Sequence, residues 1–337
     1  TIIKSFRYKL YPTPAQAERF LQFSGCRRYV WNWALEQMQA HYEATGKSLT
    51  AFDLTTRLTD LKREDETAFL QNAPTVVLRA SIVALHAAFQ SFWSKRAKYP
   101  NYKSKKTDPH RFRFSDARVI VRDGLIHIPR VGHVKARGNG PTGTAQTAEF
   151  HLEPDGHWYC SVQMRVEIEE LPENEHTIGI DAGLSSLIVT SDNQVVNPPK
   201  FMAKAARKLA RAQRTLCRRV KGSSRKQKAK QRVSIIHREV KRKREGFLHE
   251  LTTALVRRAG LIVVEDLCLR GLAKTKLAKA VKDAAIGELV RQLEYKCSWY
   301  GRRFVKVDRW FPSTKLCSNC GCKQNLTLKD RIWKCEL

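Results

Sequence analysis

The chain has 337 residues, with 62 Lys and Arg against 32 Asp and Glu, a formal charge of +30 at neutral pH. A field of that size gathers polyanions and is a poor match for a small neutral substrate, so a nucleic-acid partner is expected and a small-molecule substrate is not. No stretch approaches the roughly 20 apolar residues of a membrane span, and no charged-then-apolar leader opens the chain.

Hydrophobic residues make up 42% of the chain, enough for true cores, and the length suggests two or three domains. Ile2 to Tyr11 alternates apolar and polar side chains, which predicts a strand stopped by Pro12 and Pro14. Residues 15–45 read as a helix with Phe20, Phe23, Tyr29, Trp31 and Leu35 on apolar faces, and a second helical stretch covers 52–70. After Pro74, Leu78, Ile82, Leu85, Phe89 and Phe92 recur at three- and four-residue spacing, a helical stripe. The same spacing favours core packing over base stacking for Trp31, Trp33 and Trp93.

Lys95 to Lys106 is a basic, turn-rich joint. Strand periodicity follows at 111–114, 119–121, 125–128 and 158–162, punctuated by Asp123-Gly124, Gly138-Asn139-Gly140 and Asp155-Gly156. That pattern predicts a small antiparallel barrel or sandwich. If the opening strand joins it, the helices are an insertion. From Thr177 the order changes to strands at 177–181 and 186–190, a basic helical region at 200–258 broken at Gly222-Ser223-Ser224, a strand at 261–265, a helix near 284–300 and a strand at 303–308. This is an α/β layer order.

Two acids carry the chemistry. Asp181 ends the apolar run from Ile178, and Glu265 ends the run from Leu261. A carboxylate at the end of a buried strand costs free energy unless something cationic lies beside it. Two of them on two strands of one sheet are what a divalent-metal site for phosphodiester chemistry needs. The competing reading is a pair of salt-bridged acids in a basic protein. Asp266, one residue on, points to the other face of a strand and is read as structural.

Between Lys204 and Arg244, 18 residues are Lys or Arg and one, Glu239, is acidic. Leu209, Leu216, Val220, Val240, Phe247, Leu251 and Leu255 keep helical spacing beneath that charge. Like charges at i and i+4 repel, so the exposed face is expected to meet an anion. Arg207, Arg211, Arg214, Arg218, Arg219, Lys226, Lys230 and Arg242 are the candidate nucleic-acid contacts, set against a merely solvated helix face.

Five cysteines, Cys26, Cys160, Cys217, Cys268 and Cys297, are scattered singly, which argues against a disulfide framework and for a reducing cytoplasm. Cys317, Cys320 and Cys335 are different. Cys-x-x-Cys followed by Gly321 and a third cysteine is zinc-site spacing, with a redox pair as the rival.

Taken together, Phe6 to Pro12, Arg28-Tyr29-Val30-Trp31-Asn32, Gly179 to Gly183, Val264-Glu265-Asp266-Leu267, Arg291 to Lys296, Trp299 to Arg302 and Phe311 to Gly321 resemble the TnpB family. These are RNA-guided nucleases of small insertion sequences, related to type V CRISPR effectors. The resemblance implies a multidomain α+β and α/β chain. Residues 1–14 and 104–172 would form a wedge β-barrel, and 15–103 a helical recognition insertion. Residues 173–311 would form a RuvC-like (RNase H-type) nuclease domain carrying the hairpin 200–258, and 312–337 a zinc ribbon.

It also implies a prokaryotic, nucleoid-associated DNA endonuclease with Asp181 and Glu265 as catalytic Mg²⁺ ligands and Zn²⁺ on Cys317, Cys320 and Cys335. Its guide RNA would come from the transposon end, and its target would be double-stranded DNA beside a short adjacent motif. Thr55, Thr75, Val76 and Arg79 fall near motif-facing positions, with Val76 equally readable as core. The family's third acid and fourth zinc ligand fall beyond Leu337. The alternative expectation is therefore an RNA-guided DNA-binding repressor that does not cut. A transposase that joins strands itself is a third reading, but the chain has no His-hydrophobic-His pair with a tyrosine nucleophile.

Overall fold

A computed structural model describes residues 1–116, 118–268, 271, 274–275, 278–308 and 320–322. The chain divides into two compact units, the first Thr1–Glu167 and the second beginning at Ile168.

In the first unit, strand β1 (Ile2–Tyr11) is the spine of an eight-stranded sheet. It pairs antiparallel with β8 (Trp158–Val166) from Ile2↔Val166 to Lys9↔Tyr159, and with β5 (Gly132–Arg137) from Lys9↔Arg137 to Tyr11↔Lys135. Beyond β5 lie β4 (Leu125–Ile128), β3 (Val119–Arg122) and β6 (Gly143–Ala145). Only Gln146 separates β6 from β7 (Thr147–Leu152), which pairs with β8, and the Gln146 N–H donates to the Gln163 carbonyl at 2.8 Å. The ladder therefore passes from β3 through this bent strand to β8 and closes a ring, which leaves few unpaired edges. Strand β2 (Arg111–Phe114) hangs outside it on β7.

Helices α1 (Pro14–Thr45), α2 (Ala51–Leu61) and α3 (Thr75–Trp93) interrupt this sheet. Thr13 starts α1 with a reciprocal capping box to Gln16, and Gly46, at φ 68°, ends it by donating to the Tyr42 carbonyl. Thr50 and Asp53 cap α2 in the same way. The single helix expected over 52–70 breaks after Leu61, because Lys62-Arg63-Glu64 brings no apolar side chain to the stripe; a 3₁₀ turn follows at Asp65–Asn72. Phe20 and Phe23 of α1 pack into Phe112, Phe150 and Trp158 of the sheet, with Phe112 stacked on Phe150 at 4.8 Å. Helices and sheet thus share one core.

Trp31 is buried and Trp33 partly so, but Trp93 is half-exposed, against the expectation of core packing; it ends α3 where the helix leaves the core. Helix α3 also corrects the expectation about membrane spans: its 19 residues, at mean hydropathy 1.3, are long and apolar enough for one. Val77, Leu78, Ile82, Leu85 and Phe89 bury instead in the core of this unit.

The second unit is built on five strands in the order β11–β10–β9–β12–β13. Strands β9 (Thr177–Ala182), β10 (Ile188–Thr190) and β11 (Val195–Val196) form an antiparallel meander. Strands β12 (Leu261–Glu265) and β13 (Arg303–Val307) run parallel to β9. Parallel neighbours need long crossovers. The first is α4 (Phe201–Cys217) and α5 (Ser224–Arg258), and the second includes α6 (Ala278–Ala284) and α7 (Ile286–Trp299).

Ile178, Ile180, Ile262 and Val264 bury against Leu248, Leu255 and Val256 of α5 and Leu289, Leu293 and Cys297 of α7. Burial pushes the Cys297 thiol up to about 11, which makes it a packing residue rather than a reactive one. Lys296, buried between the same helices, donates to the His249 carbonyl and to the hydroxyls of Thr252 and Thr253 at 2.7–2.8 Å. A Cβ on Gly260 would overlap the Asn174 carbonyl, so a glycine lets β12 begin here. Val220, expected in the packed stripe, is 76% exposed because α4 has already ended at Cys217.

Candidate active site and nucleic-acid interface

In β9, Ile178, Ile180 and Ala182 turn inward, and Asp181 alternates outward. In β12, Ile262 and Val264 are buried and Glu265 falls on the other side. The two strands are in register from Leu261↔Thr177 to Val264↔Ile180, so the next step brings Glu265 beside Asp181 on the same face. Paired strands lie about 4.8 Å apart, so the two carboxylates leave the sheet as neighbours. They do so at the carboxyl ends of two parallel strands, where the sheet order reverses between meander and crossover, the place where open α/β sheets bind ligands.

Partial burial, together with the charge of Glu265, holds the Asp181 carboxyl above the usual carboxylate range. Among the described residues Asp181 has no ion-pair partner, so the salt-bridge reading does not hold for it. Asp266 lies just past β12, its N–H donating to the Val307 carbonyl at 3.1 Å. Two adjacent carboxylates offer the hard oxygens that Mg²⁺ takes. No group of three or more His, Cys, Asp or Glu fit to hold a metal occurs among the described residues.

Helices α4 and α5 pack as an antiparallel hairpin. Arg207, Lys208, Arg211 and Arg232 line a groove of about 450 Å³ floored by Ala212 and Ala229, with no carboxylate among the described residues of its lining. Arg214, Arg218, Arg219 and Lys230 are exposed. Two other cations are committed within the fold: Lys226 donates to the Arg219 carbonyl at 3.1 Å, and Arg244 pairs with Asp283 at 3.1 Å. Lys208 reaches Glu239 at 3.1 Å. The alanines, which let the helices approach, mark this groove in the sequence as much as the charges do.

A relative from Streptomyces pristinaespiralis, named "Putative RNA-guided DNA endonuclease", is 36% identical over 339 residues, covering 99% of this chain and 84% of its own. The chain belongs to the TnpB family. An Escherichia coli K12 relative named "Putative RNA-guided DNA endonuclease InsQ" is 29% identical over 99% of this chain and 88% of its own. The fold resembles that of the cryo-EM structure of the Cas12f1-sgRNA-target DNA complex, with TM-score 0.56 at 13% identity, over 95% of this chain and 79% of that one.

Residues 160–276 match a family model described as a probable transposase, 2–47 one described as a helix-turn-helix domain, and 287–337 one described as a Cas12f1-like TNB domain. The second description does not fit the geometry, since 2–47 contains one strand and one 32-residue helix.

The family's remaining expected sites fall unevenly. The Thr55 hydroxyl donates to the Ala51 carbonyl at 2.7 Å, and the Thr75 hydroxyl accepts from Lys62 Nζ at 3.0 Å. Val76 packs partly buried against the core, while Arg79 is exposed. Lys62, which sequence reading missed, therefore joins Thr75 at the start of α3. Cys317 and Cys335 lie outside the described residues. Cys320 is exposed, and Gly321 after it takes the left-handed φ of 73° that a tight turn requires.

Proposed function

We propose that this protein is an RNA-guided DNA endonuclease that hydrolyses a phosphodiester at Asp181 and Glu265. The observation that carries the reading is the like-charged pair at the carboxyl ends of two parallel strands, in a family whose relatives bear that name. The first unit is assigned as wedge barrel with recognition helices. The second is assigned as the RuvC-like nuclease, with a zinc ribbon on Cys317, Cys320 and Cys335.

Asp181 and Glu265 would hold Mg²⁺, which supplies an activated water and steadies the leaving oxygen. The chain's own residues do the rest. Partial burial and the neighbouring charge of Glu265, which together raise Asp181, are what a bound cation would offset. Neither acid needs to move to meet a backbone, because both stand on strand ends held by the packed core beneath. The cations along Arg207, Arg211, Arg214 and Arg218 grip backbone phosphates, which fixes position and carries no sequence information. Sequence is read by pairing between guide and target, with Arg79 and the Lys62–Thr75 pair reading the adjacent motif.

The deciding experiment uses the chain with the RNA that co-elutes with it and a complementary DNA target. Wild type should cut in Mg²⁺, and Asp181→Ala should bind both nucleic acids and not cut. A variant that still cuts at the wild-type rate overturns the site. A wild type that binds but does not cut leaves the repressor reading.

A further inference from the structure

The first unit holds a concentration of positive charge that neither the acid pair nor the hairpin uses. Arg27 and Arg28, on the buried side of α1, surround one carboxylate, Asp108. Arg27 pairs with it, and Arg28 Nε stands 3.8 Å away. The Nε atoms of both arginines are buried without a hydrogen-bond partner.

Beside them the Lys103 ammonium lies 2.9 Å from the centre of the Trp31 ring and has no carboxylate in ion-pair range among the described residues. Its position is built. Asn32 Oδ1 accepts from the Lys103 N–H at 2.7 Å, Asn32 Nδ2 donates to the Lys103 carbonyl at 2.9 Å, and Trp31 Nε1 donates to the Asn101 carbonyl at 3.1 Å. Burial comes first, and Arg27 and Arg111 add to it, in pushing Lys103 down to about 7 against the pull of Asp108.

These groups open onto a cavity of about 490 Å³. Among the described residues Arg27, Lys103, Arg111 and Arg113 line it with a single acid, Glu149, which lies opposite Arg113 across the β2–β7 pair. The α3 contribution is small side chains, among them Ala80, Ala84 and Ala87, which leave it open.

We propose that this cavity is a phosphodiester site, in which Lys103, Arg27 and Arg111 take one backbone phosphate of the bound nucleic acid while the small side chains of α3 leave room for its sugar. The proposal rests on the reading of the partner as nucleic acid, but on residues the catalytic assignment does not touch. Pinning α1 to the joint accounts for Arg27 and Asp108. It leaves Lys103 and Arg111 without an ion-pair partner among the described residues, and an anion supplies one.

The test uses the full chain as wild type, Lys103→Gln and Ala84→Leu. The RNA that co-elutes with wild type is titrated first, and complementary DNA is then added to the protein–RNA complex, each at several salt concentrations. Lys103→Gln removes the ammonium. Ala84→Leu, at an exposed helical position, fills the cavity without altering charge, and it decides the matter if Lys103→Gln fails to fold.

Both should weaken one of the two steps by about 5- to 30-fold, and Lys103→Gln should also flatten the salt dependence of that step by roughly one phosphate contact. A loss in the first step assigns the phosphate to the RNA, and a loss in the second assigns it to the DNA. Unchanged affinity in both steps overturns the site. A wild type that binds neither nucleic acid overturns the functional reading instead.

Discussion

The two sheets of this protein solve the same problem in opposite ways. The first closes on itself through the bent strand at Gln146, and side chains of its ring, Val134, Phe150 and Val162 among them, fill a core. The second stays open and reverses its strand order at β9. A closed ring of antiparallel strands has no point where two carboxyl ends emerge side by side with loops diverging from them. An open sheet with parallel neighbours has one, and Asp181 and Glu265 occupy it. Closure supplies stability; an open switch point supplies a place for charge.

The sharpest way to break that comparison is at the acids. Glu265→Ala should slow DNA cutting by about 10³–10⁴-fold, or roughly 4–5.5 kcal/mol of barrier, with the melting temperature near wild type. A cutting rate within tenfold of wild type would remove Glu265 from the chemistry. In the core of the first unit the effect should fall on the fold. Phe112→Ala deletes a buried ring stacked on Phe150 and should cost about 3–5 kcal/mol in denaturant unfolding of the first unit.

Intermediate in expected effect is the hairpin, whose charge is neither core nor catalyst. Replacing Arg207, Arg211, Arg214 and Arg218 together by Gln should lower RNA affinity by about 10- to 100-fold at physiological salt and flatten the log–log salt slope by roughly three. An unchanged slope would mean that the hairpin faces solvent.

The smallest effect should run the other way. The folded pKa of Asp181 lies above its unfolded value, so the ionised carboxylate costs stability at neutral pH, and that cost is relieved as the pH falls through the folded pKa. Asp181→Asn should therefore raise the melting temperature at neutral pH by about 1–2 °C after solvent screening, and the gap to wild type should close in acid. A fall in melting temperature would mean that the carboxylate is stabilised by a partner.

Much of the second unit was legible because its strands are continuous apolar runs with abrupt ends; the strand at 261–265 was read to the residue. The first unit was harder. β5, β6 and β7 mix His, Lys, Thr and Glu into short segments whose pairing is set by neighbours far away in the chain. Helix α6, too short for a stripe to show, was not read either. Trp93 and Val220 misled because helical spacing says nothing about where a helix leaves its core.

By itself the sequence determined that the partner is a polyanion, that two acids end buried strands and that a cationic hairpin lies between them, because charge totals and local periodicity are properties of neighbouring residues. Tertiary structure alone decided that Asp181 and Glu265 stand side by side, since they lie 84 positions apart in the chain and only the parallel register brings them together. It alone also decided that Arg27, Lys103 and Arg111 share one cavity, because burial and convergence are set by packing between distant segments.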